Sequence, residues 1–309
     1  MTAKYRVVIQ GAGAMGAAYA SKFFEHDPDS IAFIASGDRY ERLRNDGLII
    51  NKKQVFIPVY SPEDKPASPD LIIVALKHQH LKGALPDLQN LVGPNTTILS
   101  VMNGLDSEKI IGEVYGMEKM VFAISVGIDA QRFNNYIRFD HIGTIFFGEK
   151  TNQILSSRVL HLQSIFTTAG IPFKTPEDMV RIMWWKFMIN VGTNQPSAIL
   201  SAPYGVFQTS EHAQHIMEAA MNEVITIAQA AKVNLVKKDI QDWYTFLLSL
   251  NPKGKTSMLQ DIEAGRETEV EIFAGKMIEL GKTYQIETPV NEILYHAIKV
   301  LQQSSNTRK

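Results

Sequence analysis

A chain of 309 residues is roughly two ordinary domains long, and 45% hydrophobic with 20% charged residues gives it ample material for a packed core. Thirty-one basic against 32 acidic residues leave a formal charge of −1, which excludes a broad nucleic-acid-binding surface. Zero cysteines exclude disulfides, thiolate metal sites and a cysteine nucleophile, and suit a reducing compartment.

Residues 1–6 lead directly into Val7-Val8-Ile9, an apolar run too short for a signal-peptide core or a membrane span. The expectation is a soluble, cytoplasmic protein without a membrane partner. Residues 5–10 read as a strand, 14–26 as a helix, 31–35 as a strand and 40–45 as a helical turn. Strands at 48–50 and 55–59 flank Asn51-Lys52-Lys53-Gln54, a hairpin turn. A Pro-rich loop over 61–69 precedes the most apolar strand, 71–76, then a helix over 78–91 and a strand over 97–101. Strands alternating with helices of about ten residues point to parallel βαβ units.

From residue 175 onward the periodicity is helical. Thr175-Pro176-Glu177-Asp178 has the chemistry of a helix start: a capping hydroxyl, then Pro, then acids. Helices are expected over 176–200, 210–232, 238–250, 257–284 and 289–302, with a polar tail over 304–309. Ser257 and Gln260 have capping-box spacing. The reading is an α/β chain with a Rossmann-type dinucleotide-binding domain over 1–175 followed by an all-helical domain over 176–309.

Gly11-Ala12-Gly13-Ala14-Met15-Gly16 lies directly between the first strand and the first helix. In that context Gly11 makes the tight turn, Gly13 lets the backbone approach a pyrophosphate and Gly16 lets the helix sit close on the strand. The helix N-terminus adds free N–H groups and positive dipole. This predicts a bound dinucleotide. Its ribose should lie beyond the second strand, where Ser36-Gly37-Asp38-Arg39-Tyr40-Glu41-Arg42 follows. No acid stands there at once to hold a 2′-hydroxyl, whereas Ser36 with Arg39 or Arg42 suits a 2′-phosphate. NADP is therefore favoured, with Asp38 pairing to Arg42 on the surface.

Ligands of an open α/β sheet bind beyond the carboxyl ends of its strands. Lys77 and Asn103-Gly104 stand at two such ends, where a solvated lysine and ordinary turn chemistry are the alternative explanations. In the helical half, Lys186, Asn190 and Asn194 are spaced i, i+4, i+8 within an apolar segment, so they share one helix face. A lysine among Trp184, Trp185, Phe187 and Met188 suits a proton donor of lowered pKa, with snorkelling as the plainer alternative. Pro196 should kink or end this helix, because it frees the carbonyl of Gly192. Asp261, Glu263, Glu267, Glu269 and Glu271 form an acidic stretch in which residue type alone selects no member. Gly254-Lys255-Thr256 lacks the rest of a P-loop, since Ser249 stands where its first glycine belongs. His212 and His215 lack companions for a metal site, so no metal is expected.

With these residues in view, the chain resembles the 2-dehydropantoate 2-reductase (ketopantoate reductase) family over nearly its whole length. The matching segments are Gly11 to Gly16, Ala75-Leu76-Lys77, Asn103-Gly104, Trp185-Lys186-Phe187 with Asn190 and Asn194, and Thr256-Ser257-Met258-Leu259-Gln260-Asp261 continuing to Gly265-Arg266-Glu267-Thr268-Glu269. The resemblance implies NADPH-dependent reduction of ketopantoate to pantoate, a step toward pantothenate and coenzyme A. It implies Lys186 as general acid, Asn103 and Glu269 as catalytic supports, and Asn190, Asn194 and Ser257 as substrate contacts. Gly11, Ala12, Gly13, Ala14, Met15, Gly16, Ser36, Arg39, Lys77 and Asn103 would bind the cofactor.

Two positions depart from the family pattern. Ser36 stands where many members have Arg, and Gly254 where Asn is common. The competing readings are a reductase of another 2-oxo or β-hydroxy acid and a protein that senses NADP(H) without turnover. The expected partner is a small anionic 2-oxo acid, and a homodimer is left open.

Overall fold

The computed structural model describes residues 5–307. The chain folds into two compact units, with the boundary between Val180 and Arg181.

The first unit runs β1 (Val7–Gln10), α1 (Ala14–His26), β2 (Ile31–Ile34), α2 (Gly37–Asp46), β3 (Leu48–Ile50), β4 (Lys53–Val55), β5 (Val59–Tyr60), β6 (Leu71–Val74), α3 (His78–Ala84), β7 (Thr97–Ser100), α4 (Ser107–Tyr115), β8 (Met120–Val126), β9 (Gln131–Phe133), β10 (Tyr136–Arg138), β11 (Thr144–Gly148), α5 (Ser157–Thr168) and β12 (Phe173–Lys174). Eight strands form the main sheet in the order β12-β11-β8-β7-β6-β1-β2-β5. Every neighbouring pair is parallel except β8 with β11. Strands β1, β2, β6 and β7 are buried at every residue, as parallel strands covered on both faces must be. Their side chains alternate between two cores. Ile9, Ile73 and Leu99 pack with Ala17, Tyr19 and Phe23 of α1, whereas Val8, Ile72 and Ile98 pack with Leu81 of α3 and Ile111 of α4.

A second sheet, β4-β3-β10-β9, joins the expected hairpin to a later one. The β3–β4 turn uses Asn51 and Lys52 at φ 46° and 71°, the left-handed pair that a two-residue hairpin requires. Strand β10 lies parallel to β3. The expected single strand over 55–59 is therefore two pieces, one in each sheet.

The second unit is helical: α6 (Met179–Ile189, which begins before the boundary), a π-helical turn (Asn190–Asn194), α7 (Gln195–Leu200), α8 (Tyr204–Thr209), α9 (Glu211–Ala230), α10 (Lys237–Leu247), α11 (Ser257–Glu263), α12 (Ala274–Tyr284) and α13 (Pro289–Thr307). Three expectations change. Helix α6 starts at Met179 because the carbonyls of Pro176 and Glu177 accept from the side chain and backbone N–H of Asn152 rather than from a following helical turn. The expected helix over 257–284 is two helices. Gly265 turns left-handed at φ 60° after α11, and a 3₁₀ turn, Val270–Ile272, precedes α12. Helix α13 continues through part of the expected polar tail, while residues 308–309 lie outside the described residues. Among the described residues, no helix is long and apolar enough to cross a membrane.

Candidate functional site

In the first unit the parallel register lines up the strand ends. Gln10 stands opposite both Ile34 and Val74, and Val74 opposite Ser100. The loops holding Gly11 to Gly16, Ser36, Lys77 and Asn103 therefore all leave the same edge of the sheet.

The three glycines differ in what they require. Gly11 has φ 110°, and a Cβ there would lie 2.4 Å from the Ala75 carbonyl oxygen. A Cβ on Gly16 would lie 2.0 Å from the Gly11 carbonyl oxygen, so the helix rests directly on the turn. Gly13 is unlike both: its φ is −73°, and the nearest atom to a Cβ would be 4.0 Å away. Neither packing nor backbone geometry demands glycine at 13. Its bareness leaves open the N-terminus of α1, which has no side-chain cap and no acid in its first turn. That cradle fits a dinucleotide pyrophosphate held by backbone N–H groups.

Beyond β2, Ser36 precedes α2 and its hydroxyl lies 3.2 Å from the Asp87 carboxylate. Burial raises the Asp87 carboxyl above its ordinary range. Arg39 donates to the Ala12 carbonyl at 2.7 Å. A guanidinium not foreseen from the sequence, Arg132 of β9, donates to the same oxygen. Arg42 bonds the Asp38 backbone carbonyl at 3.2 Å, so the expected Asp38–Arg42 ion pair is replaced by a bond to the main chain. Burial, then repulsion from Arg39 and Arg42, lowers Arg132 to about 10. Burial and Arg42 lower Arg39 likewise.

Lys77, half-buried, precedes α3. Asn103 is half-buried beside Gly104, which turns at φ 96°. Beneath that loop lies a buried chain in which Ser100 Oγ donates to Ser107 Oγ at 2.8 Å and Ser107 Oγ to Glu108 at 2.9 Å.

In the second unit, Lys186 lies partly buried on α6, where Trp184 and Phe187 pack edge to face at 5.9 Å. Pro196 does not end the helical run. The chain widens instead into the π-turn, a form often found at functional positions. In such a turn the Val191 carbonyl would look to residue 196, whose proline has no N–H. Gln195 supplies the missing donor, its Nε2 reaching the Val191 oxygen at 2.9 Å. The same buried side chain bonds Asn291 at 3.2 Å and accepts from Ala274 N–H at 2.9 Å. Glu223 anchors Asn291 in turn, accepting from its side chain at 2.7 Å.

Asn190 and Asn194 meet side by side, Asn194 Nδ2 lying 3.5 Å from Asn190 Oδ1. Asn190 is 9% exposed, and its Nδ2 has no acceptor among the described residues. Thr256, not Ser257, caps α11, accepting from Leu259 N–H at 3.2 Å; this single cap replaces the expected Ser257–Gln260 capping box, and Gln260 Nε2 donates instead to the Lys255 carbonyl at 3.0 Å. That leaves Ser257 exposed in the first turn. Gly254 is packed close to Tyr204, whose ring would lie 3.0 Å from any Cβ there.

The acidic stretch also resolves. Arg266 pairs with Asp261 at 2.8 Å, Lys255 with Glu263 at 2.7 Å and Lys299 with Glu271 at 2.9 Å. Glu269 is half-buried and heads the 3₁₀ turn leading to Ala274. His212 and His215 are both exposed. Among the described residues no group of three or more His, Asp or Glu could hold a metal.

A Rossmann-type sheet with an open glycine cradle, joined in one chain to a helical unit bearing a lysine and buried amides, defines a dinucleotide-dependent oxidoreductase. The family model described as ketopantoate reductase PanE/ApbA matches residues 7–152, and its C-terminal counterpart matches residues 178–302. The chain belongs to that family. It is 26% identical over 300 residues to the 2-dehydropantoate 2-reductase of Aquifex aeolicus, covering 95% of this chain and 96% of that protein. Among solved structures, a ternary structure of D-mandelate dehydrogenase with NADH and anilino(oxo)acetate shares the fold at TM-score 0.87 and 21% identity, covering 97% and 99% of the two chains. A dimeric ketopantoate reductase from Staphylococcus aureus shares it at TM-score 0.81 and 19% identity, again over 97% and 99%.

Proposed function

We propose that this protein reduces 2-dehydropantoate to pantoate with NADPH, residues 1–175 binding the cofactor and 176–309 carrying substrate and catalysis. The observation that carries the reading is the buried, unpaired Asn190 Nδ2, four residues after Lys186. A buried donor without an acceptor costs free energy that a ligand oxygen would offset. It lies in the same turn as Asn194, as a site for a polar, oxygen-rich substrate requires.

When bound, NADPH supplies the hydride to the C2 ketone. The Lys186 ammonium then donates a proton to the developing alkoxide, giving the hydroxyl, and regains one from water. Glu269 orients the lysine and the substrate hydroxyl. Asn190, Asn194 and Ser257 hold substrate oxygens. Gly11, Ala12, Gly13, Ala14, Met15 and Gly16 receive the pyrophosphate, Ser36 and Arg39 the adenosine ribose with its phosphate, and Lys77 and Asn103 the nicotinamide end, where Asn103 also supports catalysis. The dimer described for the Staphylococcus aureus relative supports a homodimer here as well, which light scattering would test.

Reduction of another 2-oxo acid is the second reading, favoured by Gly254. That residue offers no side chain to substrate, and a Cβ there would press on the Tyr204 ring and the Asn251 carbonyl, each 3.0 Å away. NADPH and NADH oxidation measured against 2-dehydropantoate and a panel of aliphatic and aromatic 2-oxo acids separates the two. The highest kcat/KM is expected for 2-dehydropantoate with NADPH. Equal or better turnover of another acid would overturn the substrate assignment.

A further inference from the structure

We propose that Arg132, carried by β9 in the second sheet, is a specificity-determining residue that joins Arg39 in binding the phosphate on the adenosine ribose of the dinucleotide. This rests on the NADPH reading above and assigns its selectivity to a residue remote in sequence from the β2 end.

Arg39 and Arg132 converge on one backbone oxygen, that of Ala12 between the first two loop glycines. Arg42 stands close enough to both to disfavour their charge. Among the described residues none of the three pairs with a carboxylate. One carbonyl dipole is a poor counterion for adjacent guanidiniums that are partly removed from water, whereas a phosphate dianion accepts the forked donors of both. The place identifies which phosphate. The pyrophosphate belongs at the open Gly13 cradle and the N-terminus of α1. Arg39 lies in the first turn of α2, directly after β2, where the adenosine ribose rests in this kind of fold. A second anion at that position is a ribose 2′-phosphate. The Asp87 carboxylate lies 3.2 Å from the Ser36 hydroxyl, so the phosphate must be held by the two guanidiniums rather than by Ser36. Arg132 would thus supply the charge that Ser36 does not. Its Nε bond to the Asn134 carbonyl, 2.5 Å, fixes the fork within its own hairpin.

The test is calorimetric titration of the full-length protein and its Arg132→Gln and Arg132→Lys variants with adenosine 2′,5′-bisphosphate and with ADP, after thermal melts establish folding. Wild type should prefer the 2′-phosphorylated ligand. Arg132→Gln should lose about 10- to 100-fold in affinity for that ligand, the range of a charged hydrogen bond, while ADP changes less than about twofold. Arg132→Lys, which keeps the charge, should fall between and serves alone if the glutamine variant does not fold. A loss for ADP as large as, or larger than, that for the bisphosphate would move Arg132 to the 5′-phosphates, and no loss would make it a mere clasp on Ala12. Either overturns the inference while leaving the NADPH reading standing. A wild type without preference for the 2′-phosphate would overturn both.

Discussion

The side-chain oxygen of Gln195 accepts the backbone N–H of Ala274 at 2.9 Å, so one buried amide ties the π-turn bearing Asn190 and Asn194 to the segment that follows Glu269. The tie arises from a local defect. Pro196 removes the donor that Val191 needs, and Gln195 repairs the loss with its Nε2 while its oxygen reaches across to α12. Replacing Gln195 by Leu should leave the Val191 carbonyl, the Ala274 N–H and the Asn291 amide short of partners. The expected cost is about 2–5 kcal/mol of stability, read as a lower urea midpoint. An unchanged midpoint would mean that the network does not hold the turn.

Asn190 should behave differently. Its Nδ2 is already unpaired, and Leu there gives up only the long 3.5 Å bond from Asn194 Nδ2, so Asn190→Leu is expected to lower the urea midpoint far less than Gln195→Leu. The same change should raise KM for the 2-oxo acid by roughly 10- to 100-fold through the lost hydrogen bond. Steady-state kinetics on the folded variant check this. A large loss of stability with normal KM would make Asn190 structural.

The glycine loop offers a contrast within three residues. Gly11→Ala should disrupt folding, since it combines a φ of 110° with a 2.4 Å approach to backbone. Gly13→Ala should fold normally and lose dinucleotide affinity, because its Cβ would enter only the open cradle. Circular dichroism and fluorescence titration with NADPH distinguish the two. Equal binding by Gly13→Ala and wild type would remove the pyrophosphate from that position.

Glu108 makes stability depend on pH. Burial, its largest influence, raises the carboxyl from 4.5 to about 7. Between those values the folded protein holds a proton that the unfolded chain has released. The contribution is therefore fully present below about pH 4.5, and stability falls as pH rises through 7, by on the order of 3 kcal/mol in all. Urea unfolding between pH 5 and 8 should show the decline in wild type and a flatter profile in Glu108→Gln. Parallel profiles would exclude Glu108 as the source.

Much of this architecture is legible from local pattern. The glycine loop stands between an apolar strand and an apolar helix, and Lys186, Asn190 and Asn194 recur at helical spacing, so both could be read directly. What escaped depends on distant partners. Strands β9, β10 and β12 are short, and β9 and β10 pair within a sheet whose other strands lie far earlier in the chain. Arg132 therefore gave no local sign that it would reach Ala12. Helices α11 and α12 read as one because Val270, Ile272, Phe273 and Met277 stay buried across the break, which continues the apolar signal through a non-helical turn. Gln195 and Glu108 could not be singled out, because burial rather than spacing gives each its role.

In the proposed reaction Lys186 delivers the proton that completes hydride reduction of a 2-oxo acid. Single-turnover oxidation of bound NADPH by 2-dehydropantoate, in wild type and Lys186→Ala, tests this most directly. The predicted result is rapid oxidation by wild type, a loss of about 10²- to 10⁴-fold in the variant, and unchanged NADPH affinity. Oxidation by the variant at the wild-type rate, or none by wild type, would contradict it.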